Sequence, residues 1–115
     1  MNYKLLCSDI DGTLLNKDRL LSSATIDQFN RVKESCHCVL ASSRMPDAMR
    51  HLQKDLSIEK SPLIAYNGGL VLADDRVLTS MEIPNTLVNQ IAKFAIGTEV
   101  HVSIYNADEW YVPQW

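Results

Sequence analysis

Asp9-Ile10-Asp11-Gly12-Thr13-Leu14-Leu15 follows directly on the apolar run Tyr3-Lys4-Leu5-Leu6-Cys7-Ser8. The run reads as a short buried strand. The carboxylates of Asp9 and Asp11 fall just beyond its carboxyl end. Held that close they repel each other, so the pair is costly unless something uses it. A divalent cation is the usual remedy, and hard oxygen ligands suit magnesium. With its charge balanced, Asp9 could attack phosphorus as a nucleophile. Asp11 could give a proton to the leaving oxygen and later take one from water. Gly12 permits a tight turn that frees backbone N–H groups to face a phosphate. A calcium loop would need further oxygen ligands at fixed spacing, and Leu14-Leu15 rules it out.

Outward from this stretch the chain alternates strand and helix. Residues 9–21 read as a loop. Ser22 or Ser23 caps a helix whose stripe is Ile26, Phe29 and Val32, running to about Ser35. Residues 38–41 form a second buried strand. Pro46 suits a first helical position, and Ala48, Met49, Leu52 and Leu56 give the second helix its apolar face. Residues 63–66 form a third strand, ended by Asn67-Gly68-Gly69. Each crossover can hold a helix, which makes the pairing parallel and right-handed. Ligands of such sheets sit beyond the carboxyl ends of the strands. Residues 9–13, 42–44 and 67–69 all fall there, so the topology itself brings three polar clusters together.

Beyond Gly69 the pattern changes to a hairpin: residues 70–72, a turn at Asp74-Asp75, then residues 77–83. Residues 84–96 read as a helix with Leu87, Ile91, Phe94 and Ala95 inward and Gly97 as its stop. Residues 100–105 alternate as a half-buried strand, Asn106-Ala107-Asp108 turns, and residues 109–112 start another strand. Trp110, Tyr111 and Trp115 read as core of this region, with a place facing the active site as the alternative. The expected division is residues 1–80 and residues 81–115.

Composition narrows the function. The 115 residues carry 11 basic and 14 acidic side chains, a net charge of −3, and 46% hydrophobic residues. No basic patch suggests a nucleic-acid partner. No apolar run approaches the roughly 20 residues of a membrane span, and Asp9 and Asp11 interrupt any signal-peptide pattern at the N-terminus. Three cysteines without an export signal indicate a reducing cytoplasm. Cys36-His37-Cys38 does not match zinc spacing and reads as buried thiols at a helix-to-strand junction. His51 and His101 are isolated and read as structural. Oligomeric state leaves no mark on the sequence.

Asp9-Ile10-Asp11-Gly12-Thr13 resembles the first motif of the haloacid dehalogenase superfamily, DxDGT. Ala41-Ser42-Ser43-Arg44 resembles the A-T-G-R segment of its Cof-type phosphatases. Leu63 to Gly69 resembles their I-x-x-N-G-A/G segment. The resemblance implies an α/β fold: a Rossmann-like parallel core, here incomplete, followed by the start of an α/β cap domain. It implies a magnesium-dependent phosphohydrolase of small phosphorylated metabolites, working through an aspartyl-phosphate. Asp9 would be nucleophile and metal ligand. Asp11 would be general acid/base, with its backbone carbonyl on the metal. Ile10, Gly12, Thr13, Ser42 and Ser43 would line the phosphate. Arg44 and Asn67 would stand at the entrance, near substrate.

The chain also departs from that pattern. Ser43 replaces the usual glycine and narrows the approach to the backbone N–H. The family's lysine and its GDxxND-like acidic segment have no counterpart after Asn67, where Lys93 on the last helix is no substitute. The expectation is an N-terminal part of a longer enzyme, nearly inactive and poorly folded alone, with the first strand's apolar edge unpaired. Two alternatives stand beside the phosphatase: a truncated, non-catalytic phosphate- or metal-binding protein, and a phosphomutase of the same superfamily. A receiver-type signalling domain fits less well, because Tyr66-Asn67-Gly68 offers no acceptor aspartate.

Overall fold

The computed structural model describes residues 2–112. The chain divides into two compact units, one ending at Ser80 and the other beginning at Met81. The first unit runs β1 (Leu5–Asp9), α1 (Ser23–Val32), β2 (His37–Ala41), α2 (Asp47–Asp55), β3 (Pro62–Ala65), β4 (Leu70–Ala73) and β5 (Arg76–Ser80). Its sheet has the order β1-β2-β3-β4-β5. The pairs β1–β2 and β2–β3 are parallel, and the pairs β3–β4 and β4–β5 are antiparallel.

Local chemistry explains the helices. Ser22 caps α1: its Oγ accepts from the Thr25 N–H at 3.1 Å, satisfying one of the orphan donors of the first turn. The helix closes at Val32, and Lys33 to Ser35 continue as a turn, a few residues short of the expected end. In α2, Met49 and Leu52 are buried, followed by Leu56 and Ile58, and Gln53 donates Nε2–H to the Ser61 carbonyl at 3.2 Å. Met49, Leu52, Leu56 and Ile58 share one core with Phe29, Cys38, Leu40, Leu63 and Leu72. Cys36 and Cys38 are buried as expected.

The strand containing Leu5 and Leu6 differs from its expectation. It is not buried: Leu5, Leu6 and Cys7 are all exposed, because β1 lies at the sheet edge and pairs only with β2 among the described residues. The apolar edge expected from the resemblance is therefore present. Residues 10–14 also depart from a simple loop. They form a wide turn whose centre, Asp11-Gly12, is not helical, closed by the Leu15 N–H donating to the Ile10 carbonyl at 3.1 Å. The turn passes through Gly12 at φ +78°, a conformation that glycine adopts without strain.

The second unit holds α3 (Asn85–Ala95) and the hairpin of β6 (Ile104–Asn106) and β7 (Glu109–Tyr111). Gly97, at φ +78°, follows the end of α3 as expected. The expected inward face of α3 is not covered: Leu87, Ile91 and Phe94 are exposed, and only Ala95 is half-buried. A single helix and a two-stranded ribbon offer too little surface to bury an amphipathic face. The expected strand at 100–105 is likewise reduced to its end. Trp110 stacks on Tyr105 with ring centroids 5.9 Å apart, but both Trp110 and Tyr111 are exposed and not core. Trp115 lies outside the described residues. The second hairpin strand of the first unit stops at Ser80, short of the expected residue 83.

Candidate active site

The parallel register lines up the strand ends. Asp9 pairs with Ala41, and Ala41 with Ile64, so the chain leaves all three strands at one level. The exits are tied together. Ser42 donates its N–H to the Ile64 carbonyl at 2.9 Å, and Asn67 donates its N–H to the Ser42 carbonyl at 2.9 Å. Tyr66 donates to the Arg44 carbonyl at 3.1 Å. Tyr66 and Asn67 adopt positive φ, which swings the chain back across the end of β2. Of the residues singled out from sequence, this arrangement brings Asp9, Asp11, Ser42, Arg44 and Asn67 to one edge.

Ser42 is buried, and its Oγ accepts from the Arg44 N–H at 3.1 Å, leaving the hydroxyl hydrogen able to donate elsewhere. Thr13 donates Oγ1–H to Asp9 Oδ2 at 3.3 Å, and the exposed carboxylate of Asp9 faces solvent. Ile10 is buried between the two aspartates. Ser43 is exposed.

Sequence reading missed the most specific contact. Arg44 grips Asp11 with two hydrogen bonds, Nε to Oδ2 at 2.9 Å and Nη2 to Oδ1 at 2.7 Å. Its Nη1 donates to the Ala48 carbonyl in the first turn of α2 at 3.0 Å. The fork geometry matches a carboxylate, and bidentate pairs are among the stronger protein hydrogen bonds. Arg19 lies farther off, with Nη2 3.8 Å from Asp11 Oδ1. The hydrogen bonds from Arg44 lower the Asp11 pKa, burial opposes this, and the charges of Arg44 and Arg19 lower it further. The same hydrogen bonds raise the pKa of Arg44.

This pair carries a pH prediction. A lowered folded pKa means that the stabilisation is present above the unfolded carboxylate range and is lost as pH falls through the folded value. The Asp11 side chain is 44% exposed, so water screens the pair, and about 0.5 kcal/mol is the appropriate scale. Asp11→Asn should be less stable than wild type by about that amount at neutral pH. The gap should close in acid, as read by urea unfolding at a series of pH values.

Whether these residues fit a magnesium ion follows from the donors. Asp9 presents a carboxylate that enters no ion pair among the described residues. Both oxygens of Asp11 are occupied by Arg44, so its backbone carbonyl is the better donor. Both are hard oxygen ligands of the type magnesium takes, usually with several waters retained. Among the described residues, no three His, Cys, Asp or Glu side chains group closely enough to hold a metal by themselves.

The strand ends thus gather paired aspartates, a buried hydroxyl and an arginine at the edge where ligands of parallel α/β sheets sit. The chain belongs to the haloacid dehalogenase-like hydrolases, whose family profile matches residues 6–115. It is 28% identical over 96 residues to the putative phosphatase YkrA of Bacillus subtilis, covering 83% of this chain and 37% of that protein. It is 31% identical over 105 residues to the 5-amino-6-(5-phospho-D-ribitylamino)uracil phosphatase YitU of the same organism, covering 84% and 37%. A crystal structure of a haloacid dehalogenase-like hydrolase from Bacteroides thetaiotaomicron superposes with a TM-score of 0.87 at 25% identity, covering 96% of this chain and 43% of that one. The chain thus spans well under half the length of these relatives.

Proposed function

We propose that this chain is the N-terminal part of a magnesium-dependent phosphohydrolase that cleaves small phosphate monoesters through an aspartyl-phosphate on Asp9. Residues 1–80 would supply the first half of the core, and residues 81–115 the start of a cap domain. The observation that carries the reading is the row of Asp9, Asp11 and Ser42 on adjacent parallel strand ends, with Arg44 locking Asp11 in place. Names of relatives support a phosphorylated small metabolite as substrate, and the free thiols Cys7, Cys36 and Cys38 support a cytoplasmic location. No helix among the described residues is long and apolar enough to cross a membrane.

In the first step an Asp9 oxygen bonds to phosphorus while the bond from phosphorus to the leaving oxygen breaks. Asp11 gives that oxygen a proton. In the second step water attacks the phosphoryl group, Asp11 takes the proton, and phosphate departs with the Asp9 carboxylate restored. Asp9 and the Asp11 carbonyl would hold the magnesium ion, which neutralises charge on the phosphoryl oxygens. The Ser42 hydroxyl and the N–H groups of the Gly12 turn would donate to the same oxygens. Arg44 keeps Asp11 a carboxylate, the form that accepts from water. To donate, Asp11 must part from Arg44, for which the phosphate dianion is a competing partner, and carry the proton it took from water in the preceding turnover.

The test is phosphate release from p-nitrophenyl phosphate by the full-length gene product. Release should require added magnesium and stop with a chelator. Release that persists in chelator at the same rate overturns the metal-dependent reading.

A further inference from the structure

Arg44 is not the guanidinium that a ligand meets first. Three of its nitrogens are bonded to Asp11 and Ala48, and its side chain is 18% exposed. Arg19 is the opposite case. Its side chain is 78% exposed, and its 3.8 Å approach to Asp11 is beyond hydrogen-bond length. Exposed ion pairs of that kind contribute little, so a ligand anion displaces Asp11 from Arg19 at small cost.

The backbone presents Arg19 deliberately. It sits at φ +62°, a region that side chains other than asparagine and aspartate seldom occupy. The turn that holds it there is built on Asn16. Asn16 donates its N–H to the Leu20 carbonyl and accepts from the Arg19 N–H, both at 2.9 Å. Its Oδ1 accepts from Asp18 and Leu20 at 2.9 and 3.0 Å. The turn buries none of residues 16–20, so its side chains are open to a ligand. The left-handed residue is the one a three-residue loop of this kind requires, and it leaves the Arg19 guanidinium beside Asp11.

We propose that Arg19 reads the leaving group of the substrate, selecting phosphate monoesters that carry a second anionic group, a carboxylate or another phosphate. This rests on the phosphohydrolase reading above. In that reading Asp11 meets the leaving oxygen, so a guanidinium beside Asp11 stands by the leaving group and not by the attacking face of Asp9. Its planar fork suits either anion.

The experiment compares kcat/KM of the full-length gene product for phosphoglycolate, the bisphosphate of 1,3-propanediol, and propyl phosphate at fixed ionic strength. Wild type should prefer at least one anionic substrate over propyl phosphate. Arg19→Gly, which accepts the positive φ, should cut that preference about tenfold, the scale of one charge-assisted contact. Arg19→Lys should restore part of it, and Lys17→Ala, which removes a neighbouring exposed charge, should leave it intact. Loss confined to phosphoglycolate assigns the carboxylate, and loss confined to the bisphosphate assigns the second phosphate. An absent preference in wild type, an unchanged one in Arg19→Gly, or an equal loss in Lys17→Ala overturns the inference alone. Failure of wild type to release phosphate from these substrates and from p-nitrophenyl phosphate overturns the phosphohydrolase reading, and the inference with it.

Discussion

Asp9→Asn in the full-length gene product should lower phosphate release by about 10⁴-fold or more, the scale on which enzymes lose activity with their nucleophile. The substitution is nearly isosteric. The amide oxygen can still accept from Thr13 Oγ1, now at 3.3 Å, and the side chain is exposed. Stability should therefore stay within about 0.5 kcal/mol of wild type. What is lost is chemical. A neutral carboxamide is a poor nucleophile and a weaker metal ligand than a carboxylate. The check pairs a phosphate-release assay with thermal unfolding, and adds a trap for an acyl phosphate in wild type with hydroxylamine. Comparable rates in the two proteins would remove Asp9 from the reaction. An inactive variant with an unchanged melting temperature leaves the loss to chemistry alone.

The parts of this site that sequence revealed and the parts it hid differ in range. Strand ends read at Ser8, Ala41 and Tyr66, each within one residue of the observed Asp9, Ala41 and Ala65, follow from apolar runs closed by polar residues, a local signal. The cap at Ser22 and the stop at Gly97 are equally local. Parallel pairing then forces the three ends together, so the convergence of Asp9, Ser42 and Asn67 needed no contact to be seen. The Arg44–Asp11 fork joins residues 33 apart, and no pattern within either segment announces it. The register offered the clue: with Asp9 beside Ala41, both side chains leave adjacent strands just past the same level. Arg19 was hidden because its position depends on one left-handed backbone conformation held by Asn16. Burial was misread where it depends on neighbours. The apolar runs of β1 and α3 say which groups avoid water and nothing about what covers them.

Ile10→Ala should cost about 3 kcal/mol of folding stability, although the residue lies between two exposed carboxylates. The Ile10 side chain is 0% exposed and belongs to the same core as Leu40, Met49 and Leu56. Its carbonyl accepts the Leu15 N–H that closes the turn. One residue thus fastens the turn to the core, while Asp9 and Asp11 on either side project away from it. Truncation to alanine leaves a cavity beneath the turn, and the loss is a large fraction of the roughly 5–15 kcal/mol that holds a typical domain together. Ile10→Val should cost about 1 kcal/mol and keep the fold. The valine variant separates the two roles. A shift of about 1 Å in a reacting group can cost some 10² in rate, so kcat should fall further than the stability loss alone accounts for, with the melting transition still well above the assay temperature. Urea unfolding gives the first quantity and steady-state kinetics the second. A valine variant with wild-type kcat would show that the turn keeps its geometry without a filled core beneath it. An alanine variant losing under about 1 kcal/mol would show that the buried side chain is not what anchors the site.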